Sequence, residues 1–159
     1  MAKDFKKIVL ATGIVPPDIG GPATYVTKLG QQFVKFGYRV KVISYGDKES
    51  EIDEILSVHR ISRKTNALSR YWRYFQQVRK LAKWGDVIYA QDLISVGLPC
   101  ALVKVFNPKI KIIVRLGGDF LWEKAYNSGW SNQTLSQYHS QPKNFKEKKY
   151  LIIYKFSLS

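Results

Sequence analysis

Three short stretches of this chain carry residue types that could hold or transform a ligand. The first is Pro16-Pro17-Asp18-Ile19-Gly20-Gly21-Pro22. Paired glycines let backbone N–H groups approach an anion closely, and a helix starting there adds positive potential. The second is Gln91-Asp92 and the third is Gly117-Gly118-Asp119, each following an apolar run. Each stretch also has a plain structural reading: Gly20-Gly21 as a turn, Asp92 and Asp119 as helix caps. Other chemistries have no matching pattern. The chain contains no G-x-G-x-x-G for a dinucleotide and no G-x-x-x-x-G-K-[ST] for a nucleoside triphosphate. No Asp-x-Asp pair offers a site for a metal-bound diphosphate. His59 and His139 lack metal-ligand spacing and read as surface or packing residues. Cys100 lies in an apolar stretch and reads as a small buried residue. A single cysteine excludes an internal disulfide and a multi-cysteine zinc site, and no nucleophile–base pair stands out.

The stretches gain meaning from the elements that position them. Residues 7–12, KIVLAT, form a short apolar run that suits a buried strand. Residues 13–22, rich in Gly and Pro, form a loop. Tyr25, Val26, Leu29, Phe33 and Phe36 then recur at helical spacing over residues 23–36, and Gly37 stops the helix. RVKVISY, residues 39–45, is a β-branched strand. This strand, loop, helix, strand order has the size of one βαβ crossover. Further on, residues 57–62 suggest a short strand, 69–84 a helix, 86–91 a strand, 94–106 a helix and 111–116 a fifth strand. The alternation implies an α/β, Rossmann-like domain with an open, mostly parallel sheet and helices on both faces. In such sheets ligands bind outside the carboxyl ends of the strands, where all three stretches fall.

Composition narrows the field. The chain has 159 residues, of which 45% are hydrophobic and 14% aromatic, which excludes a disordered chain. The longest mostly apolar run, residues 93–106, is broken by Pro99 and Lys104 and is too short to span a bilayer. Lys3, Lys6 and Lys7 before an apolar run resemble the start of a signal peptide, but Pro16-Pro17-Asp18 replaces a cleavage site. The reading is a cytoplasmic protein. The net charge is +14 and unevenly spread. Five of the 12 acids fall in residues 47–54, a surface loop or edge, whereas residues 60–85 hold eight bases and no acid. In the helix of residues 69–84, the stripe of Tyr71, Tyr74, Phe75, Val78, Leu81 and Ala82 faces the sheet. Trp72, Arg73, Arg79, Lys80, Lys83 and Trp84 are left for other faces. Bases beside aromatics suit an anionic membrane surface or another polyanion, or else a solvated face.

Residues 7–46, KIVLATGIVPPDIGGPATYVTKLGQQFVKFGYRVKVISYG, resemble the N-terminal domain of the retaining glycosyltransferases of family four, which have the two-domain GT-B fold. VIYAQDLISVGLP from Val87 and VRLGGDFLWE from Val114 resemble later parts of the same domain. The resemblance implies transfer of a sugar from a nucleotide diphosphate sugar to a glycan or lipid-linked acceptor, with retained anomeric configuration, no metal and no cofactor. It places Gly20 and Gly21 at the donor diphosphate, Asp92 and Gly118 at the acceptor, and Asp119 among the catalytic residues. Many relatives carry a His in the region of Asp119. The family's second domain, which holds most of the donor site, would need about 150–200 further residues. The resemblance therefore implies the acceptor-side half of an enzyme, inactive alone, whose partner is a C-terminal donor-binding half in cis or in trans. Residues 1–145 are then the Rossmann-like domain and residues 146–159 a truncated basic tail. Membrane contact through Trp72, Arg73, Arg79, Lys80 and Lys83 would place the protein at the inner face of the membrane. The competing readings are a basic module that binds nucleic acid or a membrane surface without catalysis, and a stand-alone nucleotide-binding protein. Nucleic acid is the less favoured partner.

Overall fold

The computed structural model describes residues 6–48 and 52–158. Five parallel strands form one sheet in the order β3-β2-β1-β4-β5. They are β1 (Lys7–Ala11), β2 (Arg39–Tyr45), β3 (Val58–Ile61), β4 (Val87–Ala90) and β5 (Lys111–Val114). The helices between them are α1 (Gly21–Lys35), α2 (Ile52–Leu56), α3 (Ala67–Trp84) and α4 (Gly97–Phe106). Three more follow the sheet: α5 (Phe120–Asn127), α6 (Leu135–Ser140) and α7 (Phe145–Leu158).

The strands are buried because side chains alternate between two covered faces. Val9, Ala11, Ile43, Tyr45, Ile88 and Ala90 point to one face, where Tyr74, Phe75 and Val78 of α3 and Cys100 and Val103 of α4 meet them. Ile8, Leu10, Val40, Val42 and Val87 point to the other, under Val26 of α1 and Leu56 of α2. The Tyr74 hydroxyl is buried and donates between the Thr12 and Ile43 carbonyls, 3.2 Å from each. It thereby ties α3 to the ends of β1 and β2.

Several boundaries depart from the sequence reading. Residues 94–96 are not helical; α4 starts at Gly97, with Pro99 in its first turn, where no N–H is required. Part of the acidic stretch forms α2, while residues 49–51 lie outside the described set. Trp84 does not stand free on an outer face. It is half-buried against the core, with the Lys41 ammonium 4.6 Å from its ring. The basic segment from residue 146 belongs to α7, which packs with Tyr150 and Leu151 against Leu121, Ala125 and Tyr138. Asn144 caps that helix: its side chain accepts from Glu147 N–H at 2.8 Å, and the Glu147 carboxylate accepts from Asn144 N–H at 2.6 Å. This reciprocal pairing accounts for a buried glutamate.

Candidate functional site

The chain reverses direction along the sheet between β1 and β4, since α1 leads from β1 to β2 on one side and α3 leads from β3 to β4 on the other. A crevice opens at such a switch point, outside the carboxyl ends of the strands. Here it is a cleft of about 540 Å³. Gly21, Asp92 and Gly118, from the three stretches singled out in the sequence, all line it. So do Gln91, of the second stretch, and Tyr25, Arg115 and Glu123, which residue types alone did not pick out.

The glycine loop reaches the cleft because two arginines hold it. The Arg60 guanidinium donates to the Pro16 carbonyl at 2.7 Å. Arg63 pairs with Asp18 and donates to the Tyr45 carbonyl at 2.9 Å and the Gly13 carbonyl at 3.4 Å. Two members of the basic run are thus internal clamps rather than free surface charge. At the end of this loop α1 begins without any side-chain cap. Pro22 in its first turn contributes no N–H, so Gly21 and Ala23 supply the amides of this uncapped end. A Cβ on Gly21 would meet nothing within 4 Å, so its backbone is open to the cleft, whereas Gly20 backs onto Ile14.

Asp92 does what a cap does, one turn early. Its Oδ1 accepts from the N–H groups of Ile94 at 2.9 Å, Ser95 at 2.6 Å and Val96 at 3.2 Å, so it orders the turn that delivers the chain to α4. Gly97 lets α4 begin directly behind this turn: a Cβ there would lie 2.4 Å from the Asp92 carbonyl oxygen. Asp119 caps α5, accepting from Trp122 N–H at 2.8 Å. Its second oxygen accepts from the His139 ring at 2.6 Å. His139 is exposed, in line with its reading as a surface or packing residue, but this pairing gives it a partner that the sequence reading did not include. The 20 residues between the partners hid it, because only the return of α6 brings them together. Asp119 and Gly20 stand at the cleft's margin and do not line it.

The cleft's electrostatics are mixed. Arg115 lies 4.2 Å over the Tyr25 ring, and the Tyr25 hydroxyl meets the Tyr89 hydroxyl at 3.1 Å. Burial and the Tyr25 partner push the Tyr89 phenol up to about 12. Glu123 lies over Gly118. Gln91 is 6% exposed, and neither its amide oxygen nor its amide nitrogen has a hydrogen-bond partner in the protein. A buried amide left so costs about 1–3 kcal/mol unless something supplies both a donor and an acceptor. A hydroxyl group does both. Among the described residues no group of three or more His, Cys, Asp or Glu is placed to hold a metal ion.

Away from the cleft, Trp72, Arg73, Arg79, Lys80 and Lys83 are all exposed on α3. The Arg79 guanidinium lies 5.0 Å over the ring of Phe106, and the exposed Val105 and Phe106 of α4 extend this surface. No described helix is long and apolar enough to cross a membrane.

Comparison with known proteins now assigns the class. The model of Glycosyltransferase Family 4 matches residues 19–156, from the glycine loop into α7. The chain belongs to this glycosyltransferase family. No curated protein matches its sequence. Among solved structures, the C-terminal domain of a hydrogenase from Pyrococcus furiosus superposes with a TM-score of 0.50 at 14% identity, covering 69% of this chain and 91% of that one. A protein described as a UDP-N-acetylglucosamine 2-epimerase from Listeria monocytogenes gives a TM-score of 0.45 at 12% identity, over 67% of this chain and 30% of that one. The first is a likeness of fold alone, and the second is too loose to bear on this chain.

Proposed function

We propose that this glycosyltransferase module is the acceptor-side half of a retaining enzyme. It moves a sugar from a nucleotide diphosphate sugar to a glycan or lipid-linked acceptor, without a metal or cofactor. The observation that carries the reading is the cleft itself, where Gly21, Asp92 and Gly118 converge beside the unpartnered amide of Gln91. The Gly21 backbone borders the donor diphosphate with an uncapped helix end behind it. Gln91 and the Asp92 turn receive an acceptor hydroxyl, and Gly118 lets the acceptor approach the backbone closely. Asp119, held by His139, stands at the margin where the reaction takes place. Most of the donor nucleotide's contacts come from a second Rossmann-like unit, in cis or in trans, so the module alone transfers nothing.

The test combines the 159-residue chain with the donor-binding domain of a family-four enzyme, radiolabelled nucleotide sugars and soluble glycans. Transfer only in the mixture, with the donor's anomeric configuration kept in the product, supports the reading. Turnover by the chain alone, or an inverted product, overturns it. Gln91→Leu should lower acceptor affinity by about tenfold or more, because one buried hydrogen-bonding group is lost.

A second reading concerns location. Trp72, Arg73, Arg79, Lys80 and Lys83, continued by Val105 and Phe106, form an apolar and basic surface on one side of the molecule. We assign it to peripheral contact with the anionic inner face of a membrane, each base there contributing about 1 kcal/mol. Vesicles rich in phosphatidylglycerol should retain the protein and neutral ones should not. Equal retention by both, or preference for duplex DNA, overturns this reading.

A further inference from the structure

Below the cleft, on the same face of the sheet, lies a second depression of about 600 Å³. Strand alternation explains it. Val87, Tyr89 and Gln91 point to the α1 side of β4, and Lys111, Ile113 and Arg115 to the α1 side of β5 and its extension. Helix α1 covers β1 and β2 but only borders β4, through Phe33 and Tyr25. Beyond that border the sheet is bare, and Ile113 is 53% exposed in the middle of β5. Ile8, Phe33, Tyr38, Val87, Tyr89 and Ile113 make the depression apolar.

Its charge has one sign. Lys104 and Lys109 stand on its rim, and no carboxylate lines it. The two depressions lie end to end along β4 and β5: Tyr89 and Ile113 line the lower, Gln91 and Arg115 the upper. The hydroxyl pair of Tyr25 and Tyr89 marks where they meet. From Lys111 to Arg115 the trough spans about 13 Å, at roughly 3.3 Å per residue. Its lower mouth is formed by Lys104, Pro108 and Lys109, beside the exposed Val105 and Phe106.

An occupant that fits is apolar along most of its length, carries an anionic group for the Arg115 guanidinium at the cleft end, and leaves past the cationic rim at the other. A single-chain lipid phosphate has those properties. We propose that the trough between α1 and β5 is a lipid subsite: it holds the hydrocarbon chain of a lipid-linked phosphate acceptor, with the phosphate directed to Arg115. The chain would leave the membrane at the Lys104 and Lys109 mouth. This deepens the acceptor reading above, on which its catalytic meaning rests.

The probe is farnesyl phosphate, titrated into the 159-residue chain by calorimetry below its aggregation concentration, with farnesol and inorganic phosphate run separately. Farnesyl phosphate should bind at least about tenfold more tightly than either part alone, since apolar burial and charge pairing act together. Ile113→Glu puts a carboxylate on the bare strand and should weaken binding by about tenfold or more. Lys109→Glu, outside the sheet, should weaken it less, and Glu123→Gln, which removes an opposing charge from the cleft, should tighten it. Ile113 is exposed, so its variant should melt with the parent. Binding of inorganic phosphate as tight as that of farnesyl phosphate, or no response to Ile113→Glu and Lys109→Glu, overturns the subsite. A dimer in sedimentation that Ile113→Glu dissolves overturns it in favour of a second copy of the chain. Absence of farnesyl phosphate binding with transfer to soluble glycans intact removes the lipid subsite alone. Binding without transfer from any nucleotide sugar, even in the mixture with the donor-binding domain, removes the glycosyltransfer reading and leaves the subsite standing.

Discussion

On the α3 side of the sheet, Val9, Ala11, Ile43, Ile88 and Ala90 are sealed under two helices, and the aromatic ring of Tyr74 packs 4.6 Å from that of Tyr45. On the α1 side, Ile8, Leu10 and Val42 are equally buried, but the cover ends at β4, and Ile113 on β5 stands in the open. The same period-two pattern generates both faces, so strand sequence alone does not distinguish them. The difference lies in which connections return over which strands. A closed face gives stability and an unfinished one gives binding surface; both depressions lie on the unfinished side.

The sharpest test of that contrast pairs Tyr74 with Ile113. Tyr74→Ala removes a fully buried ring and leaves the Thr12 and Ile43 carbonyls without their hydroxyl donor. It should cost about 3–5 kcal/mol, a large part of a domain's usual stability. Ile113→Ala should change stability by no more than about 0.5 kcal/mol. Urea unfolding measures both. Similar losses at the two positions would mean that β5 is covered in solution and that the two faces are alike.

The next effect concerns two glycines, Gly97 behind the Asp92 turn and Gly21 lining the cleft. At Gly97 a Cβ would sit 2.4 Å from the Asp92 carbonyl oxygen, and backbone has to move to admit it. Gly97→Ala should cost about 1–3 kcal/mol. At Gly21 a Cβ meets open space, and alanine favours the helix, so Gly21→Ala should be neutral or stabilising by up to about 1 kcal/mol. Thermal melts of the two variants should move in opposite directions, or one should not move at all. Two losses of equal size would show that Gly21 is a packing glycine and not a lining one.

Much of this was legible beforehand because it is local. The period of KIVLAT and RVKVISY, the stripe from Tyr74 to Val78 and the stop at Gly85 gave the strands, the helix and their order. Gly21, Asp92 and Gly118 were legible as ends of strands in a parallel sheet. What escaped was long-range. Arg60 and Arg63 read as surface charge until β3, pairing with β2, carried them to the glycine loop. Gln91 was legible beside Asp92 at a strand end, but its burial without a partner shows only in the fold. The Asp119–His139 pair depends on the fold of residues 120–140, where periodicity is weak.

The clamp on the glycine loop offers a test of intermediate size. Arg63→Ala removes the Asp18 partner and the donors to the Tyr45 and Gly13 carbonyls. The site is exposed, so the loss of stability should be about 1 kcal/mol. The larger sign should be local: faster amide exchange at residues 13–21, with β4 and α3 unchanged. Uniformly faster exchange would mean that Arg63 supports the whole sheet and not the loop.

The smallest effect is a pH dependence from the β3 edge. His59 is half-buried, with its Nδ1 3.1 Å from the Gln77 amide nitrogen. Burial, together with the nearby Lys41 ammonium, lowers its pKa below the ordinary histidine value of 6.5. The unfolded chain then takes up a proton at a higher pH than the folded one. Just below pH 6.5 the unfolded state holds more protons, so stability rises with pH there. The contribution is fully present above the unfolded pKa and is lost as pH falls through the folded value. Melting at pH 5 should therefore come earlier than at pH 7.5, and His59→Gln should reduce the gap while keeping an amide for Gln77. An unchanged gap in the variant would assign the dependence to the carboxylates instead, and β3 would then be no more sensitive to acid than the closed side of the sheet.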